Sequence, residues 1–397
     1  MRRFLLCVAV TTMACGPAIP PVPGKGGPAW HELTSEHFTV WTDADESTGR
    51  ELVAHMEDLR QAVIGIGFRG AARPGRSLVI ALRDDDEVSA FLPRGDIVAI
   101  ASSGGVIHQP MILLSANPTH DPKGNITAHE LTHTISRAVI RNQPRWFAEG
   151  LAEFFATIEI DRGAGTIDLG RAPTYRGVPV HMRRMIPLAK LFGCKTFACI
   201  DGNFYVTAWA FFTFAFNRYP QQLAQLEDLL ASGSDESVAW ATAFGAVPVE
   251  TLDAEMRQWI AHGTHTVMHF NAQLKSFGVS VRSLADADVY AARALLRLQY
   301  QENRAEVRRL LDAAIALDRT HPLARLLEYE LEDKVDLDVA RAVTDAHPGD
   351  WRGWFLVEEA TRDREAYDKM CAAIAATNPL IEVGCAPVVT SQSPGPS

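Results

Sequence analysis

Cysteine is scarce in this sequence: six in 397 residues, too few for a chain held together by disulfides in place of a core. Positive charge is short as well. Lysine and arginine number 38 against 48 aspartates and glutamates, a formal charge of -10. No basic stripe runs along any stretch, so the electrostatic footprint of a nucleic-acid binder is missing. Long apolar runs are also lacking: after Cys15 none is long enough to cross a bilayer as a helix. The tail, residues 386–397, is low in complexity and reads as disordered. What remains is 47% hydrophobic and 22% charged. That balance belongs to a chain with a sizeable buried core, and its length predicts two or three domains.

Residues 1–15 read as a targeting segment. Arg2 and Arg3 supply the positive start, and Phe4 to Ala14 is an apolar run too short to span a membrane. Thr12-Met13-Ala14-Cys15 has the shape of a lipobox, with Cys15 as the lipidated residue. Thr12 stands where such motifs usually carry leucine, and cleavage at an ordinary signal-peptidase site is the alternative. Residues 16–28 are rich in proline and glycine and read as a flexible tether behind an anchor. The expected location is the cell envelope, as an exported bacterial-type lipoprotein on the periplasmic side of a membrane or at the cell surface. Export removes Cys7, lipidation uses Cys15, and two local pairs remain: Cys194 with Cys199, and Cys371 with Cys385. An even number in an oxidising compartment suggests two disulfides, although four cysteines allow three connectivities.

The most informative stretch is His129-Glu130-Leu131-Thr132-His133. Residues four apart share one face of a helix, so His129 and His133 can offer two imidazoles to one metal ion. Glu130, one step round, can reach a water on that ion and act as its base. Asp121-Pro122 reads as an N-cap followed by proline at the first helical position. Ile126, Ala128, Leu131, Ile135, Ala138 and Val139 then recur at helical spacing. Two blander readings compete. Thr127-x-x-Glu130 also fits a capping box, and a histidine pair on a helix face can be plain packing. Fifteen residues separate His133 from Glu149, which lies within Pro144-Arg145-Trp146-Phe147-Ala148-Glu149-Gly150-Leu151-Ala152-Glu153-Phe154-Phe155. This stretch reads as a second helix that returns antiparallel to the first.

With H-E-x-x-H, a short spacer, and a tryptophan ahead of E-G-x-A, the chain resembles the gluzincin metallopeptidases, most closely the peptidase-MA-like group. The resemblance implies a zincin-like α+β domain over residues 29–272 that holds Zn2+. It implies His129, His133 and Glu149 as zinc ligands and Glu130 as general base. The spacer is shorter than in many such enzymes, so counting alone points to Glu153 as third ligand, whereas the local pattern favours Glu149. Glu153 then resembles a carboxylate that orients a ligand histidine through its other ring nitrogen; a solvated surface carboxylate is the alternative. Tyr205 stands where family members carry a tyrosine that stabilises the oxyanion, against the reading of a buried structural tyrosine. In zincins the strand before the H-E-x-x-H helix is often the sheet edge that pairs with an extended substrate. Here that strand is Met111–Ser115, and an ordinary core strand is the alternative. The loop from Ser102 to Gly105 is a candidate flank of the cleft.

Other elements follow from pattern. Phe38–Thr42 and Leu78–Leu82 read as strands, and a helix begins near Ser47. Thr157–Ile160 and Thr166–Leu169 read as a hairpin, Pro187–Phe192 as a short helix, and Asn203–Arg218 as a very apolar one. His265 and His269 have helical metal spacing but no acidic partner nearby in sequence, and a metal role is not assigned to them. From Leu284 the texture changes to short helices with small packing residues and prolines between them. Residues 284–385 resemble tetratricopeptide-type repeats, which implies either a protein partner or a structural cap. The sequence thus points to an exported zinc metallopeptidase with a helical C-terminal region and a peptide or protein substrate. The competing expectations are a scaffold lipoprotein with a vestigial zinc site, and a zinc hydrolase of a non-peptide amide bond.

Overall fold

The computed structural model describes residues 19–381 and 385, apart from 69–74, 93–98, 103–108, 118, 120, 122, 141, 174–183, 264–265 and 302. Cys15 with its lipobox, and the tail 386–397, lie outside the described residues. The strands are β1 (His31–Thr34), β2 (Phe38–Thr42), β3 (Ser77–Leu82), β4 (Ala99–Ala101), β5 (Met111–Ser115), β6 (Glu159–Asp161), β7 (Thr166–Leu169), β8 (Met268–Asn271) and β9 (Ser280–Ser283). The first helices are α1 (Glu46–Gly67), α2 (Asp85–Phe91), α3 (Asn125–Val139), α4 (Arg145–Phe155), α5 (Leu188–Phe192) and α6 (Gly202–Arg218). They are followed by α7 (Pro220–Ala231), α8 (Glu236–Phe244) and α9 (Val249–Ala261). After β9 come six helices: α10 (Asp286–Tyr300), α11 (Arg304–Leu317), α12 (Pro322–Glu332), α13 (Leu337–Ala346), α14 (Trp351–Thr361) and α15 (Arg364–Thr377). The architecture is α+β.

The centre is a six-stranded mixed sheet in the order β4-β5-β3-β2-β1-β9, with β2, β3 and β5 parallel and the others antiparallel to their neighbours. Every residue of β3 is buried. Successive side chains of a strand point to opposite faces, and here the two sets enter two different cores. Phe38, Val40, Val79, Ala81, Ile112 and Leu114 join the front core with α1, α3, α4 and α6. Trp41, Leu78, Ile80, Leu82, Met111 and Leu113 join the rear core with the six C-terminal helices. The helical segment therefore covers the back of the sheet. β9, just ahead of it, pairs with β1 from His31↔Ser283 to Thr34↔Ser280.

Within the stretch read as a tether, Val22 is buried in the rear core and the Gly24 N–H donates to Asp286 Oδ1 at 2.9 Å. The two local cysteine pairs are disulfide-bonded, with Cα separations of 5.9 Å for Cys194–Cys199 and 5.6 Å for Cys371–Cys385. Two expectations change. β5 lies between β3 and β4, so the sheet edge beside the H-E-x-x-H helix is β4 and not Met111–Ser115. His269 sits on a strand, β8, and its Nδ1 lies 2.6 Å from Asp168 Oδ1. Its acidic partner comes from β7, far away in sequence, and His265 is outside the described residues.

Where the sheet, α2 and α10 meet, three ionisable side chains are buried together: Asp43, Glu87 and Arg293. Arg293 lies 3.8 Å from Glu87 and over the Trp30 ring. Burial and the neighbouring Asp43 carboxylate push the Glu87 carboxyl from 4.5 up to about 8, with Arg293 only partly opposing them. Between those two values the folded state holds one more proton than the unfolded chain. Glu87 therefore contributes stability that is present below pH 4.5 and lost as pH rises to about 8. Thermal unfolding of wild type and Glu87→Gln across that window measures this. The substitution is expected to flatten the fall in Tm; parallel curves would show that Glu87 is not the group responsible.

Candidate metal centre

α3 starts three residues later than Asp121-Pro122 suggests. Gly124 takes the N-cap position with φ +69°, where a Cβ would strike His55. Asp121 still serves the helix start: its carboxylate accepts from Ile126 N, Thr127 N and Thr127 Oγ1 at 2.8–3.1 Å. Side-chain caps of this kind are worth about 1 kcal/mol. Thr127 lies within the first turn and Glu130 in the helix body, so the capping-box reading of Glu130 does not apply. His129, Glu130 and His133 are all buried, on the stretch of α3 where Ala128, Leu131 and Ile135 enter the front core.

α4 brings the acid. Its apolar residues dock it deeply, and the Trp146 ring lies 5.0 Å from Phe192, 5.3 Å from Phe211 and 5.8 Å from Trp240. Gly150 lets α4 approach α6 closely: a Cβ there would lie 2.7 Å from Ala208 O and 3.0 Å from Phe212 Cβ. The glycine after Glu149 is thus a packing requirement that fixes how far Glu149 reaches.

The result is a tight triangle. His129 Nε2 and His133 Nε2 are 3.1 Å apart, and each is 3.4 Å from Glu149 Oε2. Three ligands of an ion bound tetrahedrally at about 2.0–2.1 Å stand about 3.3–3.4 Å apart, so the spacing fits such an ion. The group can hold a metal ion. Burial alone would raise the Glu149 carboxyl, yet the adjacent His133 and His129 hold it well below the usual carboxylate range. The charged acid is the form a cation needs. Glu153, one turn on, is buried, and its Oε1 lies 3.4 Å from His129 Nδ1, the ring nitrogen facing away from the triangle. The geometry makes Glu149 the third corner and puts Glu153 behind His129. Tyr205, near the start of α6, sets its ring 6.2 Å from that of His129 in an edge-on contact.

Of the loop read as a flank of the cleft, Ser102 is described and 103–105 are not. Ser102 ties the end of β4 to β5, through its N–H to Met111 O at 2.8 Å and its Oγ from Met111 N at 3.3 Å. Tyr300, at the end of α10, has a buried hydroxyl with no hydrogen-bond partner among the described residues. Burial holds its phenol above the ordinary value; Ser102 opposes the shift and Glu130 adds to it.

Removing the anionic corner is expected to cost metal outright. Glu149→Gln should fall well below one ion per chain after dialysis, while Glu153→Gln should still bind, about 10–100-fold more weakly. Metal content and competition with a chelator read both; the reverse order of losses would exchange the two roles. No family model and no curated protein matches this chain, so its chemistry is read from the site itself.

Proposed function

We propose that the chain is an exported zinc metallopeptidase of gluzincin type, with His129, His133 and Glu149 as zinc ligands. The observation that carries this reading is the triangle of ligand atoms at 3.1–3.4 Å beside a buried glutamate on the same helix. Two neutral imidazoles and one carboxylate are the donor set of catalytic zinc sites, which leave a fourth position for water or substrate. Zinc, when bound, makes its water more acidic and polarises the scissile carbonyl. Glu130 accepts the proton of the attacking water and delivers it to the leaving amine, so the carboxylate is regenerated. Glu153 keeps the His129 ring oriented. Tyr205 donates to the developing oxyanion. An extended substrate adds as a strand to β4, the edge next to α3.

Export and anchoring through Cys15 belong to the same proposal. Mass spectrometry of the mature N-terminus tests them, with a diacylglyceryl cysteine expected and an unmodified N-terminus past Cys15 counting against the anchor. A second role, partner binding by the C-terminal helices, is favoured by a cavity of about 850 Å³ behind the sheet, lined by Trp41, Arg76, Gln109, His321, Trp351 and Arg352 among others.

Glu130→Gln tests the hydrolase directly. The amide is nearly isosteric and is not a ligand in this scheme, so zinc content should stay at the wild-type level. Turnover of an unfolded protein or a quenched peptide mixture should fall roughly 10²–10⁴-fold, the usual worth of a general base. Wild-type protein that is zinc-loaded yet inert on peptides but active on cell-wall amides would move the reading to a non-peptide hydrolase. Activity that survives Glu130→Gln would remove Glu130 as base.

A further inference from the structure

α3 carries one more functional group on the line of its candidate base. Arg137 follows Glu130 by seven residues, about two turns, so the two lie nearly in line on α3, about 10 Å apart along the axis. The Arg137 side chain is exposed, and its Nη1 donates to Ala101 O, the last carbonyl of β4, at 3.3 Å. That carbonyl has a defined direction. In an antiparallel pair, residues that bond across alternate with residues whose N–H and C=O point the other way. Ser102 N donates to Met111 O at 2.8 Å, and the register runs Ala101↔Ile112, Ile100↔Leu113, Ala99↔Leu114. The main-chain groups of Ile100 therefore face β5. Those of Ala99 and Ala101 face the open side of β4, where no strand pairs among the described residues. The Arg137 guanidinium thus sits on the outer edge of the sheet, over a carbonyl to which an added strand would bond. A guanidinium has five N–H donors. Here one of them makes a long bond to a neutral carbonyl, and none meets a carboxylate among the described residues.

We infer that Arg137 is a specificity-determining residue, which binds a carboxylate of the peptide a few residues from the bond that is cut. This rests on the peptidase reading above. A peptide that adds to β4 sets one of its own N–H groups on Ala101 O. That N–H takes the place of the guanidinium, which is released beside the peptide without an acceptor. A carboxylate is the acceptor it fits best, because its two oxygens match two parallel N–H donors and carry the opposite charge. The spacing sets the position. An extended chain rises about 3.3 Å per residue, so the separation of Glu130 and Arg137 along α3 spans about three residues. The carboxylate is an aspartate or glutamate side chain at that distance, or the peptide's own C-terminus where the chain ends there. In the free protein the same arginine blunts an open strand edge that would otherwise invite pairing with another chain. Substrate exchanges that contact for its own, and Arg137 changes from a cover of the edge to a reader of charge.

The test compares zinc-loaded wild type, Arg137→Gln and Arg137→Lys on a neutral, amidated peptide that wild type cleaves. One Glu is moved outward from the cleaved bond, with Gln at each position as control. A version with a free C-terminal carboxylate in place of the Glu separates the two sources. The readout is the ratio of kcat/KM between the Glu and Gln peptides, together with the ratio of their affinities measured in the Glu130→Gln background, where the peptides stay whole. Wild type is expected to prefer the carboxylate about 3–10-fold, between an exposed ion pair and a charge-assisted hydrogen bond. The preference should fall about two to four residues from the bond and shrink in high salt. Arg137→Gln should bring both ratios to about one, and Arg137→Lys should keep part of them. If wild type shows no such preference, or if Arg137→Gln retains it, the inference fails while the peptidase reading stands. If Arg137→Gln slows both peptides together with the ratio intact, the arginine only fastens β4 to α3, and the inference fails in the same way. If zinc-loaded wild type cleaves neither peptides nor an unfolded protein, the peptidase reading fails, and this role for Arg137 falls with it.

Discussion

A carboxylate buried against two imidazoles is the constraint around which this structure is arranged. Taking a carboxylate out of water costs on the order of several kcal/mol even after relaxation. His129, His133 and Glu149 bring three electron-rich atoms within 3.4 Å of one another. Protonated imidazoles can offset part of that cost, but two of them side by side repel. A divalent cation held there would satisfy all three atoms at once, and its affinity would then count as folding free energy. The parts nearby serve the same convergence. Asp121 caps α3, Trp146 anchors α4 in an aromatic cluster, and Gly150 sets the distance between α4 and α6. A change at Gly150 touches no ligand, yet it would move Glu149 by moving the helix that carries it.

The local part of this was open to reading from the sequence. The helix with H-E-x-x-H, the second helix with E-G-x-A-E, and strands 38–42, 78–82 and 111–115 follow from periodicity and turn residues, to within a residue or two at most ends. The start of α3 was misplaced because Asp121 looks like an N-cap beside proline. The structure uses its side chain at longer reach and gives the cap position to Gly124, whose left-handed backbone only the fold reveals. Glu149 and Glu153 lie one helical turn apart, so both point to the same side of α4. The choice between them needed the lateral placement of α4 against α3, which depends on side chains distant in sequence.

The sheet edge and the role of the C-terminal region were harder. β4 is a strand of three residues paired with β5, too short for any period to register. The rear core did leave a signal. Leu78-Val79-Ile80-Ala81-Leu82 and Met111-Ile112-Leu113-Leu114 are unbroken apolar runs. A strand with one wet face alternates, and a run without alternation says that both faces are covered. Helices α1, α3, α4 and α6 account for only one face. The cover for the other had to come from elsewhere in the chain, and the helices after Leu284 are what supply it.

That coverage bears on what the C-terminal helices are for. A helical repeat appended to an enzyme by a linker would bury its own core and leave the sheet to find another partner. Here Trp41, Ile80 and Leu113 share one core with Leu295, Leu311 and Leu327, so neither side can form its packed interior without the other. The buried Asp43–Glu87–Arg293 group lies at the same seam and is costly unless all three members meet. Such a group discriminates against a loosely docked rear layer, because partial docking would leave charges buried and unpaired. The end of α10 is then held in one place relative to β4 and α3.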